Sequence, residues 1–230
     1  MYWSDDKEKK PAFVVPDDVV DLAFRFSCPM LPLDHAHALS SELLAVLPWL
    51  EDEEHAGVHL IHGAASGNGW YRPEDAANEI LHLSRRSRMR LRVPQHRLGE
   101  ARTLTGKTLN VAGHEIEVGE CDVFMLSSLS TLFARYVVTD AGKDEEAFLA
   151  EAAEQLQAID IPCRKMLGGI KHTMEFPDGP VHTRSLMVAE LEPDQSVRLQ
   201  QMGLGPGRSF GCGLFLPHKG IKAVGGSDDE

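Results

Sequence analysis

The chain is poor in cysteine and pairs none of it locally. Its four cysteines, at positions 28, 121, 163 and 212, stand more than forty residues apart and form no CxxC motif. That spacing argues against a zinc site or a disulfide framework and fits a reducing cytoplasm. No apolar run approaches the roughly 20 residues that span a bilayer, and the charged start, MYWSDDKEKK, is no secretory signal. Aromatic residues make up only 7%, but with 43% hydrophobic and 25% charged residues the composition is that of a folded chain. At 230 residues there is room for one large domain or two small ones. Basic residues are short overall, 23 against 35 acidic, for a net charge of −12. Taken alone, that balance speaks against a polyanionic partner.

Acid is nearly missing from one stretch. Between Ser84 and Lys107 there are seven arginines and one lysine against a single acid, Glu100. Screening limits distant charges to about 10 Å at 0.1 M salt, so a local basic stripe can hold nucleic acid on an acidic protein. In RRSRMRLRV the alternation predicts a strand with Arg86, Arg88, Arg90 and Arg92 on one face and Ser87, Met89, Leu91 and Val93 on the other. Four arginines on one face repel one another unless an anion sits among them. The guanidinium fork suits phosphate, so this strand is expected to bind RNA, with Arg85, Arg97 and Arg102 extending the stripe.

The remaining pattern is a doubled one. VVDLAFRFSC alternates as a half-buried strand. DHAHALSSELLAVLP predicts a helix capped by Asp34 and ended by Pro48, and GVHLIHGA a short strand. After the arginine strand, Pro94 opens a helix carrying Leu98, Ala101 and Leu104. KTLNVAGHEIEVG predicts a strand pair turning at Ala112–Gly113. The order then recurs: the strand LFARYVVT, the helix EEAFLAEAAEQLQAI, two strands around the Asp178–Gly179 turn, a helix opened by Pro193, and a last strand, SFGCGLFLP. The helical Glu145, Glu146, Glu151 and Glu154 read as a solvated face, not a metal site. Two copies of βαββαβ predict an α+β chain of tandem ferredoxin-like domains. They are placed at 14–119 and 123–222, joined near Gly119–Asp122, with tails at 1–13 and 223–230.

The segment GLGPGRSFGCGLF, residues 203–215, holds five glycines. Gly203 sits where a helix C-terminal cap belongs. GxGxG here follows a helix, which excludes a Rossmann or P-loop reading. For Gly205, Gly207, Gly211 and Gly213, loop packing and a backbone platform for phosphate beside Arg208 are equally open.

This glycine-rich loop before the last strand, with the doubled order, resembles the CRISPR-associated repeat-processing endoribonucleases of the Cas-six family, in the RAMP superfamily. LRLQQMGLGPGRSFGCGLFLPHKG, LPLDHAHAL and RRSRMRLRVP resemble more specifically the subtype first described from myxobacterial loci. The resemblance runs from about Val19 to Gly220. It implies a metal-independent, cofactor-free cytoplasmic RNase that binds repeat hairpins and cuts the precursor transcript by 2′-hydroxyl attack. The product would carry 2′,3′-cyclic phosphate and 5′-hydroxyl ends, and subunits of an effector complex would be further partners. The other reading is a non-catalytic RNA-binding subunit of such a complex.

Under that resemblance the catalytic histidine belongs at the start of the first helix, where His35 and His37 stand. A helix N-terminus favours phosphate and disfavours imidazolium, which makes His35 the preferred base and His37 the second choice. Lys171, with Lys165 and His172 on the same expected strand, would neutralise phosphate. Tyr136 would be a partner or a core residue, and His218 and Lys219 match the family's tail. The glycine-rich loop would lay Gly205, Gly207, Arg208 and Gly211 against RNA.

Overall fold

The computed structural model describes residues 13–63, 79–162 and 165–218. Cys163, Lys219, the stretch after Gly63 and most of both expected tails lie outside them. In chain order, the first half comprises β1 (Val19–Ser27), β2 (Met30–Pro32), α1 (Ala36–Val46), β3 (Gly57–His59), β4 (Ile80–His82), β5 (Met89–Pro94), α2 (Leu98–Ala101), β6 (Thr108–Val111) and β7 (His114–Met125). The second comprises β8 (Leu132–Val138), α3 (Glu145–Ala158), β9 (Lys165–Met174), β10 (Val181–Ala189), α4 (Pro193–Met202) and β11 (Leu216–Pro217). The chain is an α+β protein with two antiparallel sheets, ordered β3-β5-β1-β7-β6 and β11-β8-β10-β9. A two-stranded piece, β2 with β4, stands apart and has no counterpart in the sequence reading.

β1 carries the first correction. The alternation predicts one wet face, yet Val19 through Phe24 are all buried. Val20, Leu22 and Phe24 pack in the main core with Leu39 and Leu43 of α1. On the other side Val19 packs with Val197 of α4, so this strand is covered on both faces and its lone acid, Asp21, is enclosed.

Local chemistry explains the helices. Asp144 caps α3 by accepting from the Ala147 N–H at 2.8 Å, and Phe148, Ala152 and Leu156 point inward as the periodicity predicts. Glu192 and Gln195 form a reciprocal capping box on α4. α1 departs from expectation: its N-cap is His35, with no side-chain cap bond. Asp34 instead accepts from the Glu175 N–H at 2.8 Å, across to the second half. The helix expected from Pro94 breaks into a 3₁₀ turn, four α residues and another 3₁₀ turn. Gly99 and two threonines are poor helix formers, and Thr103 turns its hydroxyl back to the Glu100 carbonyl at 2.6 Å.

Two boundaries also shift. β7 runs unbroken through Gly119–Asp122 and stays paired to β1 as far as Val20 opposite Met125, so the expected junction lies inside a strand. The last strand shrinks to Leu216–Pro217, because glycines at positive φ precede it. The main core takes Met174 and Cys212 from the second half, with Phe176 and Phe210 against it. Among the described residues no helix is long and apolar enough to cross a membrane.

Candidate active site and nucleic-acid interface

The two helix-start histidines lie in opposite environments. His35 is only 2% exposed. Its Nδ1 donates to the Pro32 carbonyl at 2.9 Å and lies 3.2 Å from the Leu33 carbonyl. Its Nε2 accepts from the Ile61 N–H at 3.1 Å. An Nε2 that accepts is unprotonated, so the ring is neutral, and burial pushes its pKa below the ordinary value. Both nitrogens are therefore engaged inside the protein, which overturns the preference for His35 as the base. His37 is exposed. Its ring lies edge-on to Phe176 with centroids 5.3 Å apart, and Phe176 in turn packs edge-on against Phe210 of the glycine-rich loop at 4.8 Å. His37 thus faces solvent at a seam formed by α1, the β9–β10 connection and that loop.

Lys171 is not brought beside these histidines. Its Nζ lies 3.4 Å from the Ala141 carbonyl, and its cross-strand neighbour Arg184 packs over Phe148 of α3. The next residue, His172, faces the other way and meets Tyr136 edge-on at 5.2 Å. Tyr136 stacks on His62 with centroids 6.1 Å apart and planes 29° from parallel. Burial, then the Arg135 charge, pushes the His62 pKa down to about 3, so it is neutral at physiological pH. The sequence reading passed over His62 and His59. Their visible signal was two histidines three apart in a short strand, too common a pattern to select them.

The arginines divide into two groups. Arg92 is fully buried and sits opposite Asp21 in the β1–β5 register. Its Nε and Nη2 reach the two carboxylate oxygens at 2.9 and 3.2 Å, and its Nη1 donates to the Gln200 carbonyl at 2.7 Å. The anion among the arginines is therefore an internal carboxylate, and Arg92 is corrected from RNA ligand to structural ion pair. Burial opposes ionisation of Asp21, but the Arg92 guanidinium outweighs it and holds the carboxyl far below the usual range. Arg90 is half-buried, 3.7 Å from Asp21 and over the Phe124 ring at 5.7 Å. Arg85 and Arg86 are exposed, and Arg88 braces the turn by donating to the Arg85 and Ser87 carbonyls. Arg97 is taken up by Glu53 and Glu100.

The glycine-rich loop packs inward. Gly203 ends α4 at φ 67° with its N–H on the Leu199 carbonyl, as the cap reading predicts. At Gly211, φ is 97° and an added Cβ would stand 2.6 Å from Leu60 Cγ; at Gly213, φ is 68° and the obstacle is the Leu204 carbonyl oxygen at 2.3 Å. Gly207 is likewise crowded by Phe210, whereas Gly205 is exposed and uncrowded. Arg208 donates to the Ala56 and His55 carbonyls at 2.8 and 3.1 Å. Burial lowers its pKa to about 10, which leaves it cationic. Of the expected platform, Arg208 and Gly211 are corrected to ties between the two halves. Among the described residues no group of three or more His, Cys, Asp or Glu is placed to hold a metal ion.

Known structures share this architecture. A Cas6-related protein from Pyrococcus furiosus is similar with TM-score 0.57 and 11% identity, over 87% of this chain and 99% of that one. A CRISPR endoribonuclease Cse3 solved with a 19 nt RNA is similar with TM-score 0.51 and 12% identity, over 87% and 98%. At such identities the likeness is one of fold. The sequence carries it further: the family described as Cas6 Crispr matches residues 20–220. The CRISPR-associated endonuclease Cas6 of Myxococcus xanthus (strain DK1622) is 32% identical over 198 residues, 86% of this chain and 81% of that relative. The chain belongs to the Cas6 family of CRISPR-associated endonucleases.

Proposed function

We propose that this Cas6-family protein binds the hairpin of a CRISPR repeat and cuts the precursor transcript without metal, with His37 as the general base. The observation that carries the base assignment is the contrast at the start of α1: His35 has both nitrogens committed, and His37 faces solvent beside the glycine-rich loop. His37 would take the proton from the ribose 2′-hydroxyl. The freed oxygen would attack the adjacent phosphorus, the P–O5′ bond would break, and the departing 5′-oxygen would take up a proton. The products are a 2′,3′-cyclic phosphate and a 5′-hydroxyl, with no water consumed.

RNA binding is supported by the exposed Arg85 and Arg86 beside Arg88 and Arg90, and by the Cse3 relative solved with RNA. Hairpin RNA would be read there by shape and phosphate. We read each half as a ferredoxin-like unit, because each sheet carries the antiparallel order fourth-first-third-second once β6 is set aside. Subunits of an effector complex would be further partners. The deciding experiment is cleavage of the repeat RNA in EDTA by wild type, His35→Ala and His37→Ala. Metal-free cutting by wild type that is lost with binding retained only in His37→Ala supports the proposal. Tight, salt-sensitive binding with no cutting by wild type would make this an RNA-binding subunit.

A further inference from the structure

Between the arginine turn and the second sheet lies a trough of two adjoining, partly open pockets. One part, about 310 Å³, is lined by Ser84, Arg86, Arg88 and Arg90. The other, about 190 Å³, is walled by Tyr136, Phe133, Arg135 and His218. His59, Leu60, His62 and Leu216 line both, so the two parts adjoin. The smaller part is below the roughly 300–1,000 Å³ of sites for drug-sized ligands, a size suited to one heterocycle. Its walls are rings: His62 stacks on Tyr136 on one side, and Phe133 meets His218 at 5.7 Å on the other. Arg135 stands exposed at the mouth. His59 is 9% exposed, and its buried Nε2, 3.8 Å from Asp21, has no hydrogen-bond partner.

We propose that this trough is a subsite for one unpaired nucleotide flanking the hairpin, its base against the His62, Tyr136, Phe133 and His218 rings and its phosphates along Arg86, Arg88 and Arg135. The proposal rests on the RNA-binding reading above and adds to it a single-stranded specificity element. Ring walls fit any base through its π-face, and the neighbouring cations fit the backbone. Neutral His62 leaves one ring nitrogen to donate and one to accept, so it can read a base edge. Both halves of the chain contribute walls, so only the assembled protein has the pocket.

The test uses the full chain and the repeat RNA in two forms, the hairpin alone and the hairpin with its unpaired flanks. 2-Aminopurine replaces the flank bases one position at a time. One position is expected to change fluorescence on binding as its base stacks. Tyr136→Leu and His218→Ala should abolish that change and weaken flanked RNA about 5–150-fold, the span of one base–aromatic contact. Both should bind the hairpin alone as wild type does, which also shows that they fold. The proposal is overturned if the hairpin binds but no flank position responds, or if the variants lose affinity equally for both RNAs. Failure of wild type to bind either RNA would instead remove the RNA-binding reading and the subsite with it.

Discussion

Arg92 and Asp21 face each other on adjacent strands in the covered face of the first sheet, their forked contact closing at 2.9 and 3.2 Å with both side chains buried. The same guanidinium holds the Gln200 carbonyl in the last turn of α4, where a cation is favoured. Removing one partner of a buried pair leaves an uncompensated charge and costs about 3–5 kcal/mol. Arg92→Ala is therefore expected to lower the urea midpoint sharply. A change within about 0.5 kcal/mol would show that the pair contributes nothing.

Asp21 also sets an acid limit. Its folded pKa is depressed from 3.8, so its contribution is fully present above about pH 4 and is lost as pH falls below that value. Urea midpoints at pH 7 and pH 3 should differ more in wild type than in Asp21→Asn.

Histidines act in a higher window. His35, His59 and His62 all have pKa values lowered from 6.5, chiefly by burial. The unfolded chain then binds more protons below pH 6.5, so stability is present above that value and falls as pH drops from 7 toward 5. His35→Leu should flatten this slope and lower stability at pH 7 by about 1–3 kcal/mol, because the Ile61 N–H loses its acceptor. Chemical denaturation across that range reads both effects.

Salt dependence separates the arginines. A side chain that neutralises one phosphate adds about 0.7–0.9 to the slope of log affinity against log salt, and its removal takes that amount away. Arg86→Ala is expected to show that reduction. Arg92→Lys, measured where it is folded, should leave the slope unchanged because Arg92 is buried.

In the glycine-rich loop, substitutions should rank by what a methyl group meets. Gly213→Ala confronts backbone at 2.3 Å, Gly211→Ala a leucine side chain that can shift, and Gly205→Ala only the Gln155 side chain at 3.8 Å. All three carry left-handed strain of about 1–3 kcal/mol, so melting temperatures should fall most at Gly213, less at Gly211 and least at Gly205. Equal losses would show that crowding is irrelevant.

The doubled element order was readable because periodicity is local: α3 buries Phe148, Ala152 and Leu156 as its sequence spacing requires. Partners across the fold were not. Nothing near Asp34 announces that its carboxylate caps Glu175 instead of α1, and nothing near His35 points to the Ile61 amide. Arg92 looked like its neighbours in the alternating run. Its separate fate comes from α4, which covers that end of β5 and leaves the Arg85–Arg86 end in water. Asp21 gave a fainter hint, one acid within the apolar run VVDLAF.

β7 passes unbroken through the place where the chain looked divisible, and the loop before β11 packs Gly211 on Leu60. The two halves thus share part of one interior: Met174 and Cys212 complete the main core of the first half, while the second half also buries a cluster of its own around Phe148, Leu186 and Phe215. A cut between residues 119 and 123 would sever a paired strand and leave the β1 sheet divided between two fragments.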